Sequence, residues 1–189
     1  MRKEYRLFRE QKSKLFTQKQ AEQLSGLTRN QLRKLEDAGL VVPHRYSLIL
    51  YDWNQIIFLK ILHNLRQDWT FQQIEKALTI TSLFGGLEIV IKNIDTEFTA
   101  LAVIQEEDSD LVVQLLKNIE FEDELFNQNF QKTLQNKIDE KISKIITTIA
   151  TDDYKKIKKS TVVVIPDLIK HLRQRGEELQ IQDFDLKVG

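Results

Sequence analysis

The chain has no cysteine. That excludes structural disulfides, thiolate metal sites and thiol-based redox sensing. It has only two prolines and six glycines in 189 residues, so few positions interrupt regular structure. No apolar run approaches the roughly 18 residues needed to span a bilayer. The basic start, MRKEYRLFREQKSK, is not followed by an apolar segment of the kind a signal peptide carries. A cytoplasmic location without membrane contact is therefore expected. Also missing are a G-x-G-x-x-G turn, a phosphate-binding loop, a G-x-S-x-G nucleophile motif and an H-E-x-x-H metal motif. His44, His63 and His171 lie too far apart for metal-ligand spacing. Nothing in the sequence supports catalysis, a metal or a cofactor.

What is present suits a folded domain or two: 41% apolar and 30% charged residues, enough to bury a real core. The formal net charge of zero conceals an asymmetry. Residues 1–80 carry 14 Lys/Arg against 8 Asp/Glu, and residues 81–189 carry 14 against 20. A basic first half and an acidic second half imply different tasks, and the basic half favours a polyanion partner.

Four times in the basic half a helix-start residue is followed three positions later by Gln: Thr17–Gln20, Thr28–Gln31, Asp52–Gln55 and Thr70–Gln73. Each fits a capping box, and apolar residues at helical spacing follow each one. The pattern predicts helices over about 17–24, 28–37, 52–66 and 70–78. Only Ser25-Gly26-Leu27 separates the first two, which is the helix-turn-helix pattern. Between the second and third, two β-rich runs, 40–42 and 46–51, flank Pro43-His44-Arg45 as a small hairpin, or wing.

After residue 80 the period changes. Residues 87–92 and 98–104 read as strands, 108–119 as a helix and 160–165 as a buried strand. Pro166 and Asp167 open a helix ending near Gly176. A longer helix over 121–150 has apolar positions Phe130, Leu134, Ile138, Ile142, Ile145 and Ile149 at spacings of three and four, a candidate dimerisation seam. Gly85-Gly86 is a candidate hinge. The expected organisation is a basic arm (1–14), a DNA-binding domain (15–82), an α+β dimerisation or sensor domain (83–178) and a loose tail (179–189). The expected fold class is mainly α with small β elements.

With Phe16-Thr17, Ala21 and Leu24-Ser25-Gly26 at its start, the stretch 15–78 resembles the DNA-binding domain of the MerR family of transcription regulators. The resemblance continues through Leu27-Thr28, Leu32-Arg33, Glu36 and Gly39-Leu40-Val41 with Pro43. It then takes in the wing tyrosine Tyr51 and Trp69-Thr70-Phe71-Gln72-Gln73-Ile74. It implies a winged helix-turn-helix, with 28–37 as the recognition helix, and dimerisation through a long helix. The chain departs from the pattern in three places. Lys34-Leu35 stand where many members have two tyrosines. The wing lacks the usual glycine and arginine. The turn before Trp69 is shorter and has no glycine.

On a helix at about 100° per residue, Leu32 and Leu35 define a buried side, while Asn30, Arg33, Lys34 and Asp37 cluster opposite, with Arg29 at the edge. Arg grips guanine O6 and N7 bidentately, and Asn does the same for adenine N6 and N7. Arg29, Asn30 and Arg33 are therefore the base-reading candidates. Lys19 and Lys34 suit phosphate, and Arg45 and Tyr46 suit the backbone or the minor groove. The full candidate set for DNA contact is Thr17, Lys19, Thr28, Arg29, Asn30, Arg33, Lys34, Arg45, Tyr46 and Tyr51. Glu36 is expected to pair with Arg33 or Lys19. Taken alone, helix 28–37 fits an ordinary solvated face; the Gly turn, the wing and the basic half favour DNA. The expected function is a dimeric repressor that binds double-stranded DNA at a pseudo-palindromic operator. The alternatives are an adaptor in a mobile-element, CRISPR-associated or toxin–antitoxin system, and a regulator that binds a small molecule in its second half.

Overall fold

All four capping boxes form in a computed structural model of the chain, which describes residues 13–80, 87–106, 111–117 and 157–189. Thr17 Oγ1 accepts from the Gln20 amide at 3.3 Å, and Gln20 Oε1 accepts from the Thr17 amide at 2.9 Å. The same two bonds link Thr28 with Gln31, Asp52 with Gln55 and Thr70 with Gln73. Each satisfies two amides at a helix start. The helices that follow are α1 (Gln18–Ser25), α2 (Arg29–Asp37), α3 (Trp53–Leu65) and α4 (Phe71–Ile80).

The α1–α2 turn depends on glycine for two reasons. Gly26 sits at φ +83°, and the His63 imidazole packs where a Cβ would stand, 3.0 Å from its nearest ring atom. Beside it, Ser25 Oγ donates to the Ala21 carbonyl at 2.6 Å and accepts from the Leu27 amide at 3.1 Å, so the buried hydroxyl is satisfied. Past the end of helix α2, Gly39 stands at φ +68°, and the Leu40 amide reaches back to the Leu35 carbonyl.

A three-stranded antiparallel sheet, ordered β1-β3-β2, closes the first part: β1 (Phe16–Thr17), β2 (His44–Arg45) and β3 (Ile49–Tyr51). Its hairpin differs from the expected one. Leu40 and Val41 are buried at the exit of α2, so they pack as core and do not pair as a strand. Pairing starts instead at His44, opposite Leu50, and the turn falls at 46–48. The strand β1, pairing Phe16 with Tyr51, was not expected. Helix α3 is buried on nearly all sides, with Trp53, Ile56, Ile57, Phe58, Leu59, Ile61, Leu62 and Leu65 in the core, as suits a central helix.

Three expectations for the second half are overturned, two in secondary structure and one at the tail. Residues 87–92, expected as a strand, form helix α5 (Leu87–Lys92). Val90, Ile91 and Ile94 are buried while Ile89 is 51% exposed, which is a helical period; packing overrides the β-branched composition. Conversely, 112–117 form a strand and not part of a helix. In β5 (Val112–Lys117) Val113 and Leu115 turn inward while Val112 and Gln114 face out, an alternation of period two. Strand β4 (Phe98–Glu106) is central in a second antiparallel sheet, between β5 and β6 (Ile157–Val164). Leu101 pairs with both Leu115 and Val163.

Helix α6 (Ile165–Glu178) begins with Pro166 in its first turn, where a missing amide does no harm. The tail is not loose. Helix α7 (Phe184–Val188) buries Phe184 and Val188. The Phe184 ring sits 6.0 Å from both Phe16 and Trp53 and covers Gly176, where a Cβ would collide with it. Lys187 Nζ donates to the carbonyls of Leu15 at 2.6 Å and Ser13 at 3.1 Å.

The architecture is thus mixed helix and strand with two small antiparallel sheets, and one buried cluster runs from Phe16 to Val188. Among the described residues no helix is long and apolar enough to cross a membrane. The expected helix over 121–150, with Phe130, Leu134, Ile138, Ile142, Ile145 and Ile149, lies outside the described residues. So do the hinge at Gly85-Gly86 and most of the basic arm.

Candidate nucleic-acid interface

Helix α2 has two distinct faces. Leu32 and Leu35 are buried, and Arg29, Asn30, Arg33 and Lys34 are all exposed. The capping box at Thr28 fixes where the helix starts, so Arg29 and Asn30 sit in its first turn, where the helix dipole favours an anion. Arg33 Nε lies 4.0 Å from Asp37 Oδ2, with the Arg33 side chain 80% exposed. A pair that long and that wet holds the guanidinium weakly. Lys19 is exposed on α1.

Glu36 pairs with neither Arg33 nor Lys19. Its Oε1 accepts from Arg45 Nη2 at 2.7 Å and from Nε at 2.8 Å. This carboxylate therefore leaves Arg33 alone and ties the hairpin to α2. Two more bonds tie the hairpin to the start of α3. His44 Nε2 lies 3.2 Å from Asp52 Oδ2, and Gln55 Nε2 donates to the Val42 carbonyl at 2.7 Å. Asp52 and Gln55 thus serve both as a capping box and as hairpin anchors. The capping role shows in the sequence spacing, whereas the anchoring role arises only once α3 packs beside the hairpin.

Three candidates are placed differently from the rest. Tyr51 is 2% exposed, so its ring is core and its hydroxyl does not belong to an open surface. Burial, and then the Glu36 carboxylate, push that hydroxyl up to about 12. The Thr17 and Thr28 hydroxyls are engaged in capping their helices. What remains exposed is Arg29, Asn30, Arg33 and Lys34 on α2, Lys19 on α1, and Arg45 and Tyr46 on the hairpin. Beside Lys34, between the end of α2 and the start of α4, lies a shallow cleft of about 500 Å³ that also involves Asp37, Thr70, Phe71 and Gln72.

The start of α4 is anchored to the second sheet. The buried Trp69 donates through Nε1 to Thr161 Oγ1 at 3.0 Å, and Thr161 donates to Asp68 Oδ2 at 2.9 Å. Lys159 lies over the Trp69 ring and bonds Asp68. The hydrogen bonds from Thr161 and Lys159 hold the Asp68 carboxyl below its usual range. Trp53 and Trp69 are both buried.

No protein-family model matches the chain, and no curated protein matches it.

Proposed function

We propose that this chain is a sequence-specific DNA-binding transcription regulator of the MerR type, in which α1, α2 and the hairpin act as a winged helix-turn-helix. The observation that carries the reading is the sorting of α2: Leu32 and Leu35 face the core while Arg29, Asn30, Arg33 and Lys34 stand together in solvent. With α2 in the major groove, Arg29, Asn30 and Arg33 read base edges, and Lys34 and Lys19 neutralise phosphates. The hairpin reaches the flanking backbone through Arg45 and Tyr46. Two copies, joined through the second half, read a pseudo-palindrome as a repressor.

Binding to random duplex DNA at two salt concentrations tests the reading. A phosphate-gripping surface predicts affinity that falls steeply as salt rises. Absence of measurable affinity at low salt would sink it.

One observation favours a second reading, a protein-contact adaptor. Val42 and Leu48 on the hairpin are 64% and 60% exposed, and apolar side chains in solvent suit a protein partner better than a phosphate backbone.

A further inference from the structure

Between α1, α3 and α6 lies an open cavity of about 570 Å³, within the range of about 300–1,000 Å³ common for small-molecule sites. Leu24, Leu168 and Leu172 give it an apolar floor. Its rim is polar and carries two cations, Lys60 from α3 and Arg175 from α6, with the His171 imidazole beside them. Glu178 is the lining carboxylate, and it is already engaged with Arg175 Nη1 at 3.1 Å. Among the described residues no carboxylate lies within ion-pair reach of the Lys60 amine.

These cations meet across two helices that are far apart in sequence. Burial and the Arg175 guanidinium hold the Lys60 amine below the ordinary lysine range. His63, on the next turn of α3, is likewise lowered by burial and by Lys60. The charged form of each group is therefore held at a cost, which an anion seated between Lys60 and Arg175 would relieve.

We infer that this cavity binds a small organic oxyanion, its carboxylate or phosphate head held by Lys60 and Arg175 with His171 beside them, and its short apolar body resting on Leu24, Leu168 and Leu172. The occupant would touch both α6 and α1, the helix that leads through Gly26 into α2. Coupling to DNA affinity rests on the proposed function; the binding itself does not.

Calorimetric titration of the full chain with benzoate, phenyl phosphate and neutral benzyl alcohol tests the site. At least one anion should bind, with benzyl alcohol weaker by on the order of tenfold, the worth of a charge-assisted hydrogen bond. A preference for benzoate assigns a carboxylate head, and a preference for phenyl phosphate assigns a phosphate. Lys60→Met and Arg175→Gln should each weaken binding by a similar factor, whereas Lys170→Gln, exposed elsewhere on α6, should leave it unchanged. Amide shifts of the unmodified chain should move at Gly26 and Asn64, a readout that needs no variant. Overturning results are no binding of either anion, shifts that avoid Gly26 and Asn64, or full binding by folded Lys60→Met and Arg175→Gln. DNA affinity measured without any of these probes separates failure of this site from failure of the proposed function.

Discussion

Glu36 and Arg45 join the exposed helix to the hairpin: Arg45 Nη2 and Nε both donate to Glu36 Oε1, at 2.7 and 2.8 Å. The contact aligns the two elements that would have to meet DNA together, and among the described residues it leaves Arg33 with only the distant Asp37. Its energetic worth is limited because Arg45 is largely solvated. A double-mutant cycle with Glu36→Gln and Arg45→Met, read by urea unfolding, should give a coupling of roughly 0.5–1 kcal/mol. A coupling indistinguishable from zero would show that the hairpin is aligned by its other anchors, Gln55 and His44.

Gly26 and His63 make a second such pair. Alanine at 26 meets both the positive φ and the imidazole, so Gly26→Ala should destabilise the chain by about 1–3 kcal/mol. Because burial lowers the His63 pKa from 6.5, the unfolded chain binds the proton more readily. His63 therefore contributes stability that is fully present above pH 6.5 and is lost as pH falls through its folded value. His63→Gln should flatten the acid side of the stability profile; an unchanged acid limb would show that other groups carry it.

Much of the first half was legible because its signals are local. Each capping box needs only residues three apart, and all four form where the spacing placed them. The buried side of α2 followed from the spacing of Leu32 and Leu35. What escaped depends on packing. A run such as Leu87-Glu88-Ile89-Val90-Ile91-Lys92 favours a strand by composition, yet one helical face of it packs into the core. The strand Val112–Lys117 exists because β4 lies beside it. The same holds at the candidate interface. The exposed residues of α2 could be named from sequence, but the burial of Tyr51 and the choice of Arg45 by Glu36 depend on where the hairpin settles.

Tyr51 gives an alkaline signature. Its hydroxyl is raised from 10.0 to about 12, so the folded state favours the neutral phenol. The associated stability is fully present below pH 10.0 and is lost as pH rises towards 12. Ultraviolet titration should show Tyr51 ionising late, and Tyr51→Phe should remove that late step. A titration with no late-ionising tyrosine would contradict the buried placement.

The tail helix α7 is held by shape at Gly176. A methyl group there would strike the Phe184 ring, which also packs against Phe16 and Trp53. Gly176→Ala should therefore cost about 1–3 kcal/mol through overpacking. Hydrogen exchange should speed up at Phe184 and Val188 while α3 stays protected. Unchanged exchange in α7 would show that Lys187, bonded to the Ser13 and Leu15 carbonyls, holds the tail without the ring.

The two neighbouring cations of α2 should differ in kind. Both Arg33 and Lys34 are exposed, so alanine at either should change stability by no more than about 0.5 kcal/mol. On the proposed function Lys34 meets phosphate. Lys34→Ala should then weaken binding about equally on all duplexes and lower the salt slope by roughly one. Arg33 meets a base edge. Arg33→Ala should weaken binding to the selected operator by about 1–3 kcal/mol and relax the preference at one base-pair position. Binding isotherms on the operator and on a scrambled duplex, each across a salt series, separate the two effects. If both variants lose the same affinity on both duplexes, α2 grips the backbone without reading sequence, and the proposal narrows to a non-specific DNA-binding protein.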